Sequence, residues 1–503
     1  MLYMTKLLTE KITEWKEIIK RYRFVIKPCL TLTILYTVSI SAILRANFNY
    51  KDDMDRIMRG RKGWLNFGRY FTEFFSSVIH GDSYLTDISP LPQLLAVLLI
   101  AISGVAAVYI ITGKKKLTVW SFVALMPLGI SPYFLQCLSY KYDAPYMAIS
   151  VLASIIPLMF YKRQKLVYIA AIILGTLIMC TTYQVSSGIF PMLVVLLCVK
   201  WWNHKEEGIR QIVEFVAVSA IGYLTGLGIY KIFLFPKGST SDYVSVSVAS
   251  LDKLLPTIVS NLYRYCSLIK NDFKISWLLL VLAIFLSFLF VMVRDSARNK
   301  IIALFVGSLT LCLLLILSFG VYLALEKPLF TPRGMYGFTV LLAFLAIFVC
   351  NTHRLYSGKL GCLALGWCFC VFSFTYGNVL EVQKEYADFR MELVIADLND
   401  LEIMQSQEEI ILQIEGKIGY APAIDNMPDN YRIIYSLVPM VFGGTGNMWD
   451  QYKFFRAYKL RNVKQNFGSN VTVDLTECKL PILKDTMYHT IKGKNNKVLI
   501  ELK

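Results

Sequence analysis

The residues best suited to chemistry form a short acidic cluster, Asp52-Asp53-Met54-Asp55-Arg56, directly after the first long apolar run. A carboxylate can accept the proton of a hydroxyl group during group transfer, and cations beside it can stabilise a phosphate. The alternative is a solvated loop whose aspartates only form turns. We predict that Asp52 or Asp53 is a general base. The spacing leaves the choice open, and a preference for Asp53 rests on no geometry. The flanking cations are Lys51, Arg56, Arg59, Arg61, Lys62 and Arg69.

The composition predicts that membrane helices position this cluster. The chain has 503 residues, of which 56% are hydrophobic and 17% charged. A soluble protein of this composition would expose too much apolar surface. The apolar runs are about 20 residues long, which suits a hydrocarbon core of roughly 30 Å. We predict an α-helical polytopic protein with about eleven transmembrane helices. They are placed at roughly 25–45, 91–111, 117–136, 144–161, 166–181, 188–202, 212–235, 275–293, 301–325, 335–351 and 360–380.

The basic residues orient these helices. Short basic segments separate the apolar runs, and the positive-inside rule places them all in the cytosol together with the N-terminus. They lie at 114–116, 162–165, 200–210, 294–300 and 353–359. The net charge of +17 is therefore no nucleic-acid footprint. The opposite face then carries residues 46–90, 236–274, 326–334 and the chain after about 381.

Three regions follow from this pattern. Residues 1–24 are predicted to form a cytosolic amphipathic helix, and 25–380 a transmembrane catalytic region with the external loop 46–90. Residues 381–503 are predicted to form a small external α/β domain, beginning with a helix near 384–402. Within the external loop, an aromatic-rich helix over 64–79 is expected in the membrane interface. The 11 cysteines show neither disulfide nor metal spacing, so no metal or cofactor is predicted, although a divalent metal is left open.

Further acids and a lysine accompany the cluster on the same face. Asp82 and Asp87 precede a helix that begins near Pro90, so Asp87 has a capping role as its alternative. Lys141 and Asp143 lie in a tight turn at membrane depth, where they are costly unless paired or facing a ligand. Their alternative is an ion pair with each other.

Two polar interruptions complete the candidates. Residues 181–188 include Tyr183 and Gln184 at a helix end, where they suit sugar hydroxyls or helix–helix hydrogen bonds. Arg333 begins a late span, where it can bind phosphate or extend to lipid headgroups.

Several of these segments together resemble a known family, the serotype-converting O-antigen glucosyltransferases of phage and enteric bacteria. The resemblance is carried by residues 46–53 with Arg56, by 68–70, by 82–93, by 140–143 and by 183–184. It implies a membrane glycosyltransferase of the GT-C type, in the bacterial inner membrane, with a periplasmic C-terminal domain. The implied donor is undecaprenyl-phosphate glucose, and the implied acceptor is a sugar of the O-antigen repeat. In such enzymes an acid in the first external loop is the usual catalytic group, a position that Asp52 and Asp53 occupy.

The expected site follows from the cluster and the resemblance together. Arg56, Arg69, Lys141 and Arg333 would bind and stabilise the undecaprenyl phosphate. The sugar-binding set would be Tyr50, Tyr70, Asp82, Asp87, Tyr142, Asp143, Tyr183 and Gln184. Two alternatives are a transporter or flippase of a lipid-linked sugar and a non-catalytic polysaccharide assembly subunit. The first usually has two related halves, which the sequence does not show. Membrane lipids are the remaining expected partner.

Overall fold

The computed structural model describes most of the chain after residue 23. The described residues are 24–114, 116–235, 247–352, 355–425, 427, 430–443, 450–451, 453–458, 460, 462–466 and 473–503. The amphipathic helix expected over 1–24 therefore lies almost wholly outside them, as do Lys115, His353 and Arg354 of the basic segments.

Apolar helices make up most of the described chain. The first nine are α1 (Phe24–Ser39), α2 (Ser41–Ala46), α3 (Asp52–Arg59), α4 (Tyr70–His80), α5 (Leu91–Thr112), α6 (Val119–Ile130), α7 (Pro132–Ser139), α8 (Ala144–Ile155) and α9 (Lys165–Cys180). The next eight are α10 (Ile189–His204), α11 (Ile209–Ile229), α12 (Leu251–Asp272), α13 (Ile275–Arg294), α14 (Lys300–Leu317), α15 (Tyr336–Cys350), α16 (Tyr356–Asp400) and α17 (Ile434–Leu437). Short 3₁₀ turns between them include Trp64–Phe67, Gln184–Gly188, Gly320–Ala324 and Pro332–Gly334.

The number of predicted spans is confirmed only in part. Within the described residues, six helices are long and apolar enough to cross a membrane, or seven if the bent pair α6 and α7 counts as one span. The other four predicted spans coincide with the shorter apolar helices Phe24–Ser39, Ala144–Phe160, Lys165–Cys180 and Tyr336–Cys350. The positions of the apolar helices in the sequence were therefore predicted better than their lengths. The break at Pro132 divides one predicted span into α6 and α7, and the one at Pro157 ends α8 early.

The external loop differs from the prediction in its local structure. The acidic cluster forms the helix α3 rather than an irregular loop. The single helix expected over 64–79 is two elements, the 3₁₀ turn Trp64–Phe67 and α4. Gly68 separates them with a φ of 66°, a conformation that glycine adopts without steric cost.

The membrane region continues directly into the C-terminal region through α16. This helix has 45 residues, so the predicted boundary at 380 falls inside it, and the helix expected at 384–402 is its last part. The tail adds a five-stranded sheet in the order β2-β1-β5-β4-β3. The strands are β1 (Ile410–Gly416), β2 (Val463–Gln465), β3 (Ile482–Asp485), β4 (His489–Lys494) and β5 (Lys497–Leu502). β1 pairs in parallel with β2 and β5, and the other pairs are antiparallel.

The sheet packs on the last turns of α16. Met391 and Val394 of α16 share a buried cluster with Leu412 of β1 and Ile500 of β5. Arg390 fixes this contact, because its Nη2 donates to the carbonyl oxygens of Tyr488 (2.8 Å) and Lys503 (2.7 Å). A small C-terminal α/β unit, predicted from its short apolar runs, is therefore present.

One excursion from this unit returns to the helical bundle. Gly419 and Val441 pair at its base, and Ile433, Leu437 and Val438 join the main apolar core of the bundle. Gln383 of α16 holds the base, donating to the carbonyl oxygen of Gly419 at 3.0 Å and accepting from the amide of Ala421 at 2.8 Å. The excursion therefore covers the end of the bundle that carries the acidic cluster.

The opposite end of the bundle carries the short basic segments. A cavity of about 550 Å³ there is lined by Lys114, Lys200, His204 and Arg294, at the C-terminal ends of α5, α10 and α13. The basic segments at 114–116, 200–210 and 294–300 thus meet at one end, and the acidic cluster lies at the other.

Candidate active site

The helix α3 presents the acidic cluster on two faces. It begins at Asp52, after Lys51 with φ 44° and ψ −105°, and ends at Gly60, whose amide donates to the Arg56 carbonyl oxygen at 2.7 Å. Asp53 and Arg56 are buried, whereas Asp52 is only half-buried. A residue with a Cβ seldom adopts the backbone conformation of Lys51, so the surrounding contacts must impose it. This backbone conformation of Lys51 sets the direction in which α3 starts, next to a candidate catalytic group.

Asp53 connects the first loop to the turn between α7 and α8. Its Oδ2 accepts from the amides of Tyr50 and Lys141, both at 3.1 Å, and its Oδ1 from the amide of Tyr142 at 3.4 Å. The side chain is fully buried. Burial raises the pKa of Asp53 to about 7, although Arg56 opposes the rise. Both oxygens are engaged by the backbone, so these contacts favour a structural role for Asp53.

Arg56 and Asp143 form the centre of the buried network. The guanidinium of Arg56 is bidentate on the Asp143 carboxylate and lies 4.5 Å from the Trp64 ring centroid. Trp64 Nε1 also donates to Asp143 Oδ1 at 2.6 Å. Burial acts to raise the pKa of Asp143, but Arg56 and Arg69 outweigh it and hold the pKa below its usual range. The alternative of a Lys141–Asp143 pair is wrong, because Asp143 pairs with a cation from α3 instead.

Lys141 turns away from Asp143 to the start of the first loop. Its Nζ donates to Asn49 Oδ1 at 2.7 Å and to the Asn47 carbonyl oxygen at 3.4 Å, and lies 3.5 Å from Asp87 Oδ2. Only 1% of the residue is exposed, and burial lowers the pKa of its ammonium group while Asp87 opposes this. Asp87 also accepts from the Ser89 amide at 3.0 Å. Lys141 and Asp87 thus close the external loop on itself.

Asp52 is placed differently from the other acids of the site. Among the described residues, none donates a hydrogen bond to its carboxylate or forms a salt bridge with it. Its negative charge nevertheless acts to raise the pKa of both Lys51 and Arg56. Burial and the nearby Arg333 lower the pKa of Lys51, whereas Asp52 acts to raise it. Lys51, Asp52 and Arg333 are all partly exposed and are linked electrostatically through Lys51, and we term the region that they border the half-open space. Lys51 thus becomes a site residue, although the sequence analysis named it only as a flanking cation.

Two arginines converge on this space from separate elements. The Arg69 guanidinium lies 5.1 Å from the Tyr183 ring centroid, and Tyr183 donates its hydroxyl to the Arg333 carbonyl oxygen at 3.3 Å. The Arg333 guanidinium lies 4.3 Å from the ring centroid of Tyr140. Burial raises the pKa of the Tyr322 hydroxyl, and the positive charges of both arginines oppose this rise. Tyr183 therefore links Arg69 of the external loop to Arg333 of the turn Pro332–Gly334.

A close approach of two turns makes this convergence possible. Gly188, in the turn after Tyr183, and Gly320, in the turn before Tyr322, lie so close that a Cβ on Gly188 would meet the Leu317 carbonyl oxygen at 1.8 Å. Gly320 also has a φ of 54°. The close approach excludes a side chain at Gly188, and the close approach and the positive φ together favour glycine at Gly320.

A glutamine that the sequence analysis missed links the remaining parts. Gln136 of α7 donates to the Tyr50 hydroxyl at 2.8 Å and to the Ser436 carbonyl oxygen at 3.2 Å, and accepts from the Arg333 amide at 2.8 Å. Tyr50 in turn donates to the Leu437 carbonyl oxygen. A lone amide inside an apolar helix was the available signal, because a polar group at that depth needs partners.

The other predicted sugar-binding residues fall into two groups. Tyr142 is buried beside the site, with its ring centroid 5.7 Å from that of His80. The second group lies outside the half-open space and consists of Tyr70, Asp82 and Gln184. Tyr70 is 41% exposed, and exposed Asp82 accepts from the Tyr84 amide as a turn aspartate does. Gln184 donates to the Tyr230 hydroxyl at 2.7 Å, which is the helix-packing alternative.

The described residues contain no group of three His, Cys, Asp or Glu side chains that could hold a metal ion.

The fold and the site together define a class: a polytopic helical membrane protein with a cluster of acids and cations at one end of its bundle. The family described as "Glucosyl transferase GtrII" matches residues 41–350, so the chain belongs to the GtrII glucosyl transferase family. Membership indicates a glycosyltransferase.

One curated relative is similar along nearly its whole length. It is described as an uncharacterized 55.3 kDa protein in the gtrB 5′ region of Salmonella phage P22, and is 22% identical over 473 residues. The match covers 89% of this chain and 96% of the relative. No solved structure matches the chain.

Proposed function

We propose that this protein transfers a hexose, glucose by the family resemblance, from an undecaprenyl-phosphate sugar to a sugar of the O-antigen repeat. Family membership supports the transferase, and the gtrB neighbourhood of the phage relative supports O-antigen modification. The observation that carries the proposal is the partly exposed Asp52 carboxylate, which has no hydrogen-bonding partner among the described residues and directly follows Lys51, a lysine on which Arg333 also acts electrostatically.

Asp52 acts as the general base in this proposal. It accepts the proton of the acceptor hydroxyl while that oxygen bonds to the anomeric carbon of the donor sugar. The bond from that carbon to the phosphate oxygen breaks, and its electron pair leaves with the undecaprenyl phosphate. Lys51, Arg69 and Arg333 stabilise the charge that develops there. Because the leaving group is already a phosphate, orientation and charge neutralisation supply most of the acceleration.

The buried network positions these groups without touching the substrate. Asp53, Arg56 and Asp143 join α3 to the turn before α8, and Lys141 with Asp87 fixes the ends of the external loop. The role predicted for Arg56 and Lys141 at the donor phosphate thus becomes a positioning role, since their cationic groups are occupied by protein partners.

Purified protein in vesicles tests the reaction directly. We expect transfer of radiolabelled glucose from undecaprenyl-phosphate glucose to O-antigen acceptor by the wild type, and loss of transfer in Asp52→Asn. Asp82→Asn is the matched control, because Asp82 is an exposed turn aspartate of the same loop. A wild type that moves the intact lipid-linked sugar across the vesicle, without transfer, would establish the flippase alternative instead. A wild type with neither activity would favour the assembly subunit.

We further propose that the Asp52 end of the bundle is periplasmic and the basic end cytosolic, in the inner membrane. The basic residues around the cavity at the opposite end support this orientation. Reporter fusions after Lys116, Arg298 and Lys503 test it. Alkaline phosphatase activity is expected only at Lys503, and activity at either of the first two would contradict the orientation.

A further inference from the structure

The helix α12 has three distinct sides. It has 22 residues, yet Asp252, Lys253, Arg264, Lys270 and Asp272 keep it from the candidate spans. One side packs on the protein through Asn261, Tyr265 and Ile269. A second side exposes an apolar stripe with a spacing of four residues. The stripe consists of Leu251, Leu255, Val259 and Tyr263, with exposures of 91%, 71%, 59% and 77%. Exposed Lys253 and Ser260 lie on the third side.

The packed side of α12 holds the segment that carries Arg333. Asn261 Nδ2 donates to the carbonyl oxygens of Leu323 (3.0 Å) and Leu325 (2.9 Å), and Tyr265 donates its hydroxyl to that of Leu329 at 3.3 Å. The Tyr265 ring also stacks on Phe319 at 4.4 Å between centroids. α12 is therefore fixed to residues 319–329, which lead directly into the turn Pro332–Gly334.

The position of the stripe indicates what covers it. Residues 319–329 continue from the end of the span α14, whose last turns expose apolar side chains at Leu309, Leu313 and Ile316. The stripe thus belongs to a helix that is fixed to the segment directly following a spanning helix with an exposed apolar surface. Lys253 and Arg264 lie next to the stripe and suit the anionic headgroups of a leaflet surface. Exposed Asp252 lies at the beginning of the stripe, and Arg264 also stacks on the Phe330 ring, 4.1 Å from its centroid. An amphipathic helix with apolar, packed and cationic sides lies in the membrane interface.

We propose that α12 is an interfacial helix whose stripe inserts among the lipid acyl chains at the Asp52 end of the bundle. Through Asn261 and Tyr265 it then holds Arg333 at the depth where a lipid phosphate enters the site. The first statement stands on the contacts of α12 alone. The second rests on the proposed lipid-phosphate donor.

Lipid quenching tests the membrane contact without any enzymatic assay. A fluorescent amino acid replaces Val259 in one full-length variant and Ser260 in the matched control. Both are reconstituted in vesicles of phosphatidylethanolamine and phosphatidylglycerol with brominated acyl chains. We expect quenching about threefold stronger at position 259 than at position 260, since an interfacial helix buries its apolar face by several ångströms. Equal quenching at the two positions overturns the proposal. A photo-crosslinking amino acid at position 259 that links two copies of the chain overturns it as well.

Donor kinetics test the link to Arg333. In Leu255→Ser/Val259→Ser, we expect KM for the lipid-linked donor to rise about three- to tenfold, with kcat within about twofold, because binding is weakened more than chemistry. Asn261→Ala should give the same split while quenching at position 259 persists. An unchanged KM in both variants overturns the link. If the wild type shows no transfer, the proposed function fails, whereas the quenching result still decides the membrane contact.

Discussion

The two faces of α3 differ more than their sequence suggests. On the inner face, Asp53 accepts hydrogen bonds from three backbone amides, and the guanidinium of Arg56 makes a bidentate contact with the Asp143 carboxylate. On the outer face, Asp52 stands half-exposed beside Lys51. Adjacent residues on a helix point about 100° apart, so one of two neighbouring carboxylates can serve the scaffold while the other meets substrate. A short acidic motif thus contains both the support and the proposed chemistry.

Charge balance separates the two faces further. On the inner side, the acids Asp53, Asp143 and Asp87 pair with Arg56 and Lys141. Arg69 links the two sides, because its Nη1 lies 4.0 Å from Asp143 Oδ1, and the outer side adds Lys51 and Arg333 to the carboxylate of Asp52. These four acids and five cations together carry an excess of one formal positive charge. A phosphate monoester, the leaving group in the proposed reaction, carries about −1.5 to −2 charges near neutral pH.

The largest loss of activity is expected at Asp52, on the outer face of α3. In Asp52→Asn, the proton acceptor is lost while shape is kept, so turnover should fall by roughly 10²- to 10⁴-fold. Membrane level and thermal stability should stay close to those of the wild type, because the carboxylate has no structural partner among the described residues. O-antigen glucosylation in cells at matched protein levels measures this. Near-normal modification would remove Asp52 from the mechanism.

Asp53→Asn should instead damage the fold. An amide offers only one acceptor oxygen, so its NH₂ group would face one of the backbone N–H donors of Tyr50, Lys141 or Tyr142. Leaving such a buried donor unsatisfied costs about 1–3 kcal/mol. We expect a lower thermal midpoint and reduced membrane level, measured by fluorescence-detected chromatography after heating. An Asp53→Asn protein that is fully stable yet inactive would transfer the catalytic role to Asp53.

These two variants mark the limit of prediction from sequence. Apolar runs predicted where the helices lie, although not their lengths, and the site at the acidic cluster stays a prediction. The roles within the pair depend on the helical phase of α3 and on amides donated by a turn 88 residues away, which spacing does not encode. Likewise Asp143 has its nearest cation two residues away in sequence, yet it binds Arg56, 87 residues distant.

The helix boundaries were missed for a different reason. α16 continues far beyond its apolar part as a polar helix, because its later turns pack on the sheet rather than on lipid. An apolar window therefore ends where the membrane environment ends, and the helix does not. Helix breaks inside apolar runs had the opposite effect and shortened several predicted spans.

A smaller effect is expected at the two arginines of the outer face. Arg333→Lys and Arg69→Lys keep one positive charge but lose the planar, bidentate contact with phosphate. We expect about a tenfold lower kcat/KM for each, close to 1.4 kcal/mol of transition-state stabilisation. Kinetics with purified protein and lipid-linked donor measure this. Full activity in both lysine variants would argue against a bidentate phosphate contact and leave only a general electrostatic effect.

The smallest effect is expected at Asp82, an acid of the same loop outside the half-open space. Its Oδ1 accepts from the Tyr84 amide at 3.2 Å and from the Ser83 hydroxyl at 3.1 Å, and the side chain is exposed. Asparagine forms the same turn, so Asp82→Asn should leave both glucosylation and the thermal midpoint close to those of the wild type. Glucosylation assayed beside Asp52→Asn then shows whether position, rather than negative charge in this loop, decides activity. A loss in Asp82→Asn as large as that in Asp52→Asn would mean that the loop acts through its total charge, and the distinction between the two faces of α3 would lose its functional meaning.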